Sequence, residues 1–373
     1  MAEIMTVLGP IAPHELGFTS MHEHILLDGS GVYARRQERS VPAEVRAAYR
    51  AGLPADLREA WNGEVSLATS GLLRGNLVLV RDNLVIDDED LMTEEVSDFK
   101  AGGGTAILDV SGIGLRTSVA GVQRISRRSG VHVVVCTGFY TEDSWPEPYH
   151  GYSLDQFHRH MVGEIERGIE DTGIKAGHIK LAVTDLSPAQ ERVLRAGARA
   201  AIETGAAVTV HPGFGIGSDG RSIARILIAE GLAPDRLIMA HADGFLVERD
   251  LKMLILNPAS WGLRLEYHRA LLDQGVNLSF DCFGHLWNDE LHGEIIEHDW
   301  QRLAGVVALV QAGYASQIVL GTDTFVKILT RRHGGEGYSR LTRYVVPLLR
   351  RLQVAEHAIR QMTVEAPARL LAK

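Results

Sequence analysis

Two cysteines in 373 residues, Cys136 and Cys282, are too few for a disulfide framework and lack the paired spacing of a thiolate zinc site. Both are read as small core residues. Positive charge is also scarce. Lys and Arg number 38 against 47 Asp and Glu, and the net charge of −9 argues against a polyanionic partner such as nucleic acid. The notable basic clusters, Arg35-Arg36, Arg127-Arg128 and Arg331-Arg332, are read as solvated faces. No window approaches the roughly 20 apolar residues of a membrane span. The first residues lack a basic region followed by a sustained apolar stretch, so the cytoplasm is the default address and no membrane partner is expected. No Gly-x-Gly-x-x-Gly turn opens a helix after an early strand, which counts against a doubly wound dinucleotide-binding sheet.

What is present is ordinary for a globular protein, 45% apolar and 23% charged, apart from a high count of 16 histidines. Eight short β-branched runs recur with helical stretches between them. They are the region around His22, then 105–110, 131–137, 178–183, 207–211, 237–241, 277–281 and 317–323. Helical composition fills 89–100, 118–129, 154–172, 188–204, 221–231 and 298–313. This alternation predicts an α/β fold, a (β/α)₈ TIM barrel forming one domain over 1–373. Two connections are too long for simple loops, 29–76 after the first strand and 244–275 after the sixth. Both leave the ends where barrel enzymes build their sites, and the first reads equally as a lid or a surface excursion.

The segment from Thr19 to Leu27 sets His22 and His24 two apart in an apolar run, on one face of a strand. Four other runs end in a residue able to bind a metal: Lys180, His211, His241 and Asp323. Singly, each has a bland explanation as a hydrogen-bonded rim residue. Together they converge on one barrel mouth, where four buried imidazoles, a lysine and a carboxylate are costly without a compensating cation.

This set resembles the phosphotriesterase family of the amidohydrolase superfamily. The resemblance runs nearly the whole chain, through Leu16 to His24, Thr137-Gly138-Phe139-Tyr140 and Val364 to Leu371. It implies two divalent metals, zinc by ligand chemistry with cobalt, manganese or iron also fitting. His22 and His24 would hold one metal with Asp323, and His211 and His241 the other. Lys180, carboxylated on its amine (N6-carboxylysine), would bridge them. The carbamate supplies negative charge that Asp323 and a bridging hydroxide alone do not, and burial beside cations favours the neutral amine that carbamylation needs. The implied reaction is attack of the bridging hydroxide on an ester-type bond, with Asp323 taking the proton and Tyr140 at the pocket wall. A homodimer is a further implication of the resemblance.

Two positions depart from the family pattern. An aspartate stands two rather than three residues after the sixth-strand histidine, in His241-Ala242-Asp243, and Cys282 follows Asp281 where phosphotriesterases use a relay histidine. That leans the substrate towards a lactone or carboxylic ester. An organophosphate triester or N-acyl amide remains an alternative, as does a non-catalytic metal-containing binding barrel or a mononuclear one. In the last connection, Lys327, Arg331 and Arg332 are candidates to bind an anionic substrate group.

Overall fold

In the computed structural model, which describes residues 2–53, 55–213, 217–290 and 292–373, the eight runs form one sheet. Its strands are β1 (Thr19–Glu23), β2 (Ala106–Asp109), β3 (His132–Thr137), β4 (His178–Ala182), β5 (Val208–His211), β6 (Leu237–Met239), β7 (Asn277–Phe280) and β8 (Ile318–Leu320). They stand side by side in chain order, each paired ladder parallel. The seam between β8 and β1 closes where the Asp323 N–H donates to the His22 carbonyl at 3.0 Å. The architecture is the expected TIM barrel.

Alternation along the strands sorts side chains into two layers. Ala106 and Leu108, Val134, Ile238 and Val319 join an inner cluster with Met21. Ile107, Val133, Val135, Leu237, Met239, Ile318 and Leu320 pack outward in a second cluster beneath the helices. A two-stranded antiparallel hairpin, Ile4–Thr6 with Gly9–Ile11, contributes Ile4 to the inner cluster, joined there by Leu370 and Leu371 near the C-terminus. Glu3 and Lys373 exchange two backbone hydrogen bonds of 3.1 and 3.0 Å, tying the chain ends together.

The helices start and stop where local chemistry dictates. Asp88 caps Glu89–Ala101 by accepting from the Asp90 and Leu91 amides. Ser187 caps Pro188–Thr204, which ends on left-handed Gly205. The helix expected over 154–172 stops at Glu166, because Gly168 takes a φ of 121° that no helix continues. The first insertion holds α1 (Ser30–Ser40), α2 (Ala43–Gly52) and α3 (Leu67–Gly75). Pro54, the start of its stretch 54–61, lies outside the described residues. The second insertion holds Leu251–Leu256 and Glu266–Leu272. A third long connection, 281–298 after β7, was not anticipated. Among the described residues no helix is long and apolar enough to cross a membrane.

Candidate metal centre

Strand parity aims several of the expected residues inward. Leu181 and Ile179 face outward on β4, as do Val208 and Val210 on β5 and Leu278 and Phe280 on β7. Their neighbours Lys180, His211 and Asp281 therefore point into the mouth. Asp323 follows the same parity from Val319. His22 and His241 break it, and local distortions correct their aim. The β1–β2 register shifts between Ser20 and Glu23, so that inward Met21 is followed by a His22 that also lines the mouth. His241 lies beyond β6 at a φ of 53°, and Asp323 beyond β8 at 44°. Left-handed backbone at two non-glycine residues is strain held by its surroundings, a feature that clusters at functional sites.

All six residues line one cavity of about 280 Å³. His24 Nε2 lies 3.3 Å and His22 Nε2 3.7 Å from Asp323 Oδ1, and these three form a group able to hold a metal. Lys180 Nζ is 3.0 Å from His22 Nε2. The ring centroids of His211 and His241 are 4.5 Å apart, and those of His22 and His241 4.8 Å.

The far sides of the rings are held as ligand histidines require. Fully buried Asp281 is hydrogen-bonded to His241 Nδ1 at 2.9 Å and lies in ion-pair range of His22 Nδ1 at 2.8 Å, where the angle makes no hydrogen bond, so one carboxylate faces rings from two strands. His24 Nδ1 meets Ser111 Oγ at 2.8 Å. Asp281 is itself fixed by its amide, which donates to Asp243 Oδ2 at 2.8 Å, with fully buried Arg302 behind at 3.5 Å from Asp243 Oδ1. The departure at Asp243 is thus a support position. Glu23, between the two histidines, accepts from the Thr322 amide and hydroxyl, both at 2.7 Å, from the Thr324 amide at 3.1 Å, and from Ser20. It staples the barrel seam. Gly138 has a φ of 110°, and a Cβ there would stand 2.1 Å from the Lys180 carbonyl oxygen.

The electrostatics suit cation ligands. Burial lowers the Lys180 ammonium to about 8 despite Asp281 and Asp323. Burial, then the Lys180 charge, lowers His22 to about 4. Burial, then His241, holds His211 well below its ordinary value. Burial alone would raise Asp323, but His22, His24 and His241 overcome it and keep the carboxylate ionised. Burial would lower His241, but Asp281 overcomes it and raises that imidazole above its ordinary value. The lowered His22 and His211, a lysine inclined to lose its proton and an ionised carboxylate are the forms that coordinate metal or accept a carbamate.

Tyr140 lies on the wall, its ring centroid 5.7 Å from that of His211. None of Lys327, Arg331 and Arg332 is among the residues lining the cavity. Lys327 pairs with Asp82, Arg331 Nη1 lies 2.5 Å from Asp98 Oδ1, and the Arg332 amide donates to Glu95 at 3.0 Å while its side chain is exposed. Two arginines, Arg36 and Arg249, line the cavity instead, so Arg35-Arg36 is not simply a solvated face. α1 turns Tyr33, Arg36 and Gln37 to the cavity at helical spacing, a signal visible once the helix face is known. Cys136 is buried core, but Cys282 is not. It lines the cavity with Sγ 3.6 Å from Asp281 Oδ1.

The first insertion and the connection after β7 are stitched together at the mouth. The Asn288 and Glu290 amides donate to the Arg74 and Gly75 carbonyls at 2.7 and 3.1 Å. His292 bridges Asp289 and Ser40 at 2.7 and 2.9 Å. The first insertion therefore borders the cavity through α1. The second contributes Gly244 and Arg249 to the lining, while Glu266–Leu272 buries its face in the barrel core.

Fold and cluster define the class: a (β/α)₈ barrel with a metal-competent polar centre at its mouth. A model of the phosphotriesterase family matches residues 2–371, and the chain belongs to that hydrolase family. It is 28% identical over 375 residues to the N-acetyltaurine hydrolase of Rattus norvegicus, covering 99% of this chain and 97% of that one. A resiniferatoxin-binding protein from Rhodobacter sphaeroides superposes with a TM-score of 0.84 at 28% identity, over 99% of this chain and 94% of that one. A mutant of a phosphotriesterase-like lactonase from Deinococcus radiodurans gives 0.70 at 25% identity, over 99% of both chains.

Proposed function

We propose that the protein is a binuclear metal-dependent hydrolase that cleaves an ester-type bond, with lactones and carboxylic esters as its substrate class. The observation that carries this reading is the convergence of His22, His24, Lys180, His211, His241 and Asp323 on one cavity. His22, His24 and Asp323 would hold one cation and His211 and His241 the other, and Lys180, as a carbamate, would add negative charge to the pair. Two divalent cations, zinc by donor type, supply Lewis acidity and a water that ionises near neutral pH. Asp323 receives the proton of the attacking water and returns it to the leaving group. Tyr140 confines the substrate beside His211, and Asp281 keeps the His22 and His241 rings aimed. The cover formed by the first insertion and the connection after β7 limits water access.

A second reading, hydrolysis of an N-acyl amide, is favoured by the likeness to N-acetyltaurine hydrolases. A binding role without turnover has the likeness to the resiniferatoxin-binding protein behind it. Rates on lactones, aryl esters, N-acyl amides and phosphotriesters, with metal-loaded protein, separate the three. Preference for a lactone or ester supports the proposal, preference for an amide replaces its bond class, and bound metal without turnover favours binding.

A further inference from the structure

Apart from the histidine cluster, the cavity wall carries three buried nitrogen donors with no hydrogen-bond partner among the described residues. They are Arg36 Nε, Asn76 Nδ2 and Trp287 Nε1. The orientation of the Asn76 amide is fixed, because its oxygen accepts from Gln37 Nε2 at 2.9 Å and from the Val78 amide at 3.0 Å. Its NH₂ is therefore the end left over. The guanidinium carbon of Arg36 lies 5.9 and 5.7 Å from the ring centroids of Tyr33 and Tyr140, and Nη2 donates to Thr141 Oγ1 at 3.3 Å. The planar group is thus held against two aromatic rings and a hydroxyl. The unpartnered acceptor on the same lining, Glu297 Oε1, lies 3.7 Å from Arg249 Nε. The surplus on this wall is one of donors, which an acceptor-rich ligand completes.

We propose that this wall receives a monoanionic oxygen group of the substrate, a carboxylate or sulfonate, on the part of the molecule remote from the bond that is cut. Arg36 is the specificity-determining residue, assisted by Asn76 and Trp287. The charge follows from the count of free cations. Arg249, the other arginine lining the cavity, lies 3.4 Å from Glu294 and 3.7 Å from Glu297 carboxylate oxygens, whereas among the described residues no carboxylate of the lining stands in ion-pair range of Arg36, which can therefore balance one negative charge of a ligand. Burial works against the Arg36 charge, but Tyr140, Tyr33 and then Asp143, which is not part of the lining, overcome it and keep the guanidinium charged. The span is right for a small molecule, since the Tyr140 ring stands 5.7 Å from the His211 ring on one side and 5.7 Å from the guanidinium on the other. The inference rests on the hydrolase reading above for the place of the scissile bond.

The test compares para-nitrophenyl hemisuccinate with para-nitrophenyl succinamate, which share acyl chain length and leaving group and differ in carboxylate against amide. Metal-loaded wild type is expected to prefer the hemisuccinate. The ratio of kcat/KM values should fall about tenfold or more in Arg36→Gln, chiefly through KM, as for loss of a charge-assisted hydrogen bond. Arg36→Lys, which keeps the charge without the fork, should lie between, and Trp287→Phe should lose less than Arg36→Gln. No preference in wild type, or a preference unchanged in Arg36→Gln, overturns the receptor. If neither ester is cleaved, the hydrolase reading loses its support, and calorimetry with propionate decides the receptor alone. Binding to wild type that is lost in folded Arg36→Gln supports it, and equal binding or none to either overturns it.

Discussion

Asp281→Asn is the substitution most diagnostic of how the centre is built. The wild-type carboxylate is fully buried, 2.8 Å from His22 Nδ1 and 2.9 Å from His241 Nδ1, and also accepts from the His241 amide at 3.2 Å. Burial pushes its pKa up, but His241 and His22 overcome that and hold it well below the usual carboxylate range. An asparagine has one oxygen to accept from one ring, and its NH₂ then faces the N–H of the other, donor against donor. One histidine must lose its orienting partner, whichever way the amide turns. Removing such a partner typically weakens metal binding about 10–100-fold, or roughly 1.4–2.7 kcal/mol. Competition against a chelator of known affinity reads the change for each metal, with circular dichroism confirming the fold. Ser111→Ala, which removes only a neutral hydroxyl from His24 Nδ1, should cost less, about 0.5–1.5 kcal/mol. Wild-type metal affinity in folded Asp281→Asn would refute the claim that this carboxylate orients both rings.

Other expectations follow from the supporting structure. Gly138→Ala sets a Cβ against the Lys180 carbonyl at a φ of 110°, so about 2–6 kcal/mol of stability should be lost in urea unfolding, with activity falling alongside; near-wild-type values for both would be inconsistent with that contact. Arg116 and Glu164 form a pair at 2.8 Å with both side chains under a tenth exposed. Burial would raise Glu164, but His160 and Arg116 hold it down to about 2 from 4.5, a shift worth about 3 kcal/mol. That stability is complete above pH 4.5 and is lost as pH falls towards 2, so Glu164→Gln should flatten the acid limb of the stability profile; an unchanged limb would count against the pair. His292→Ala removes a bridge between Asp289 and Ser40. Global stability should change by under about 1 kcal/mol, whereas amide exchange in α1 should quicken, and unchanged exchange would deny the bridge a role in the cover.

Much of the barrel was legible because a strand buried on both faces must be apolar throughout and must end in something that is not. That rule locates all eight strands, and His211 does end β5, but Lys180, read as the end of its run, stands in the middle of β4. It does not foresee that β6 and β8 stop at Met239 and Leu320, with His241 and Asp323 beyond them in left-handed backbone and His241 turned inward against its parity. Pattern has no term for a strained residue held by its neighbours. The basic loop at 327–332 looks like an anion site by composition, but Lys327 and Arg331 are taken up by Asp82 and Asp98 and Arg332 is exposed, pairings that composition does not disclose. Arg36 was passed over because a pair of arginines on a helix does not disclose which face the helix turns. The connection 281–298 lacks helical or strand periodicity, and only its contacts with Arg74, Gly75 and Ser40 mark it as a wall of the site.

The central claim is that four histidines, Lys180 and Asp323 form a two-metal hydrolytic centre. Metal content per chain by mass spectrometry of purified wild type and Asp323→Asn, with hydrolysis rates on the lactone and ester panel for both, addresses it most directly. The account predicts about two metals per wild-type chain, turnover of a lactone or ester, and loss of that turnover in Asp323→Asn. A folded, metal-supplemented wild type that retains no metal, or an Asp323→Asn variant that hydrolyses as fast as wild type, would contradict it.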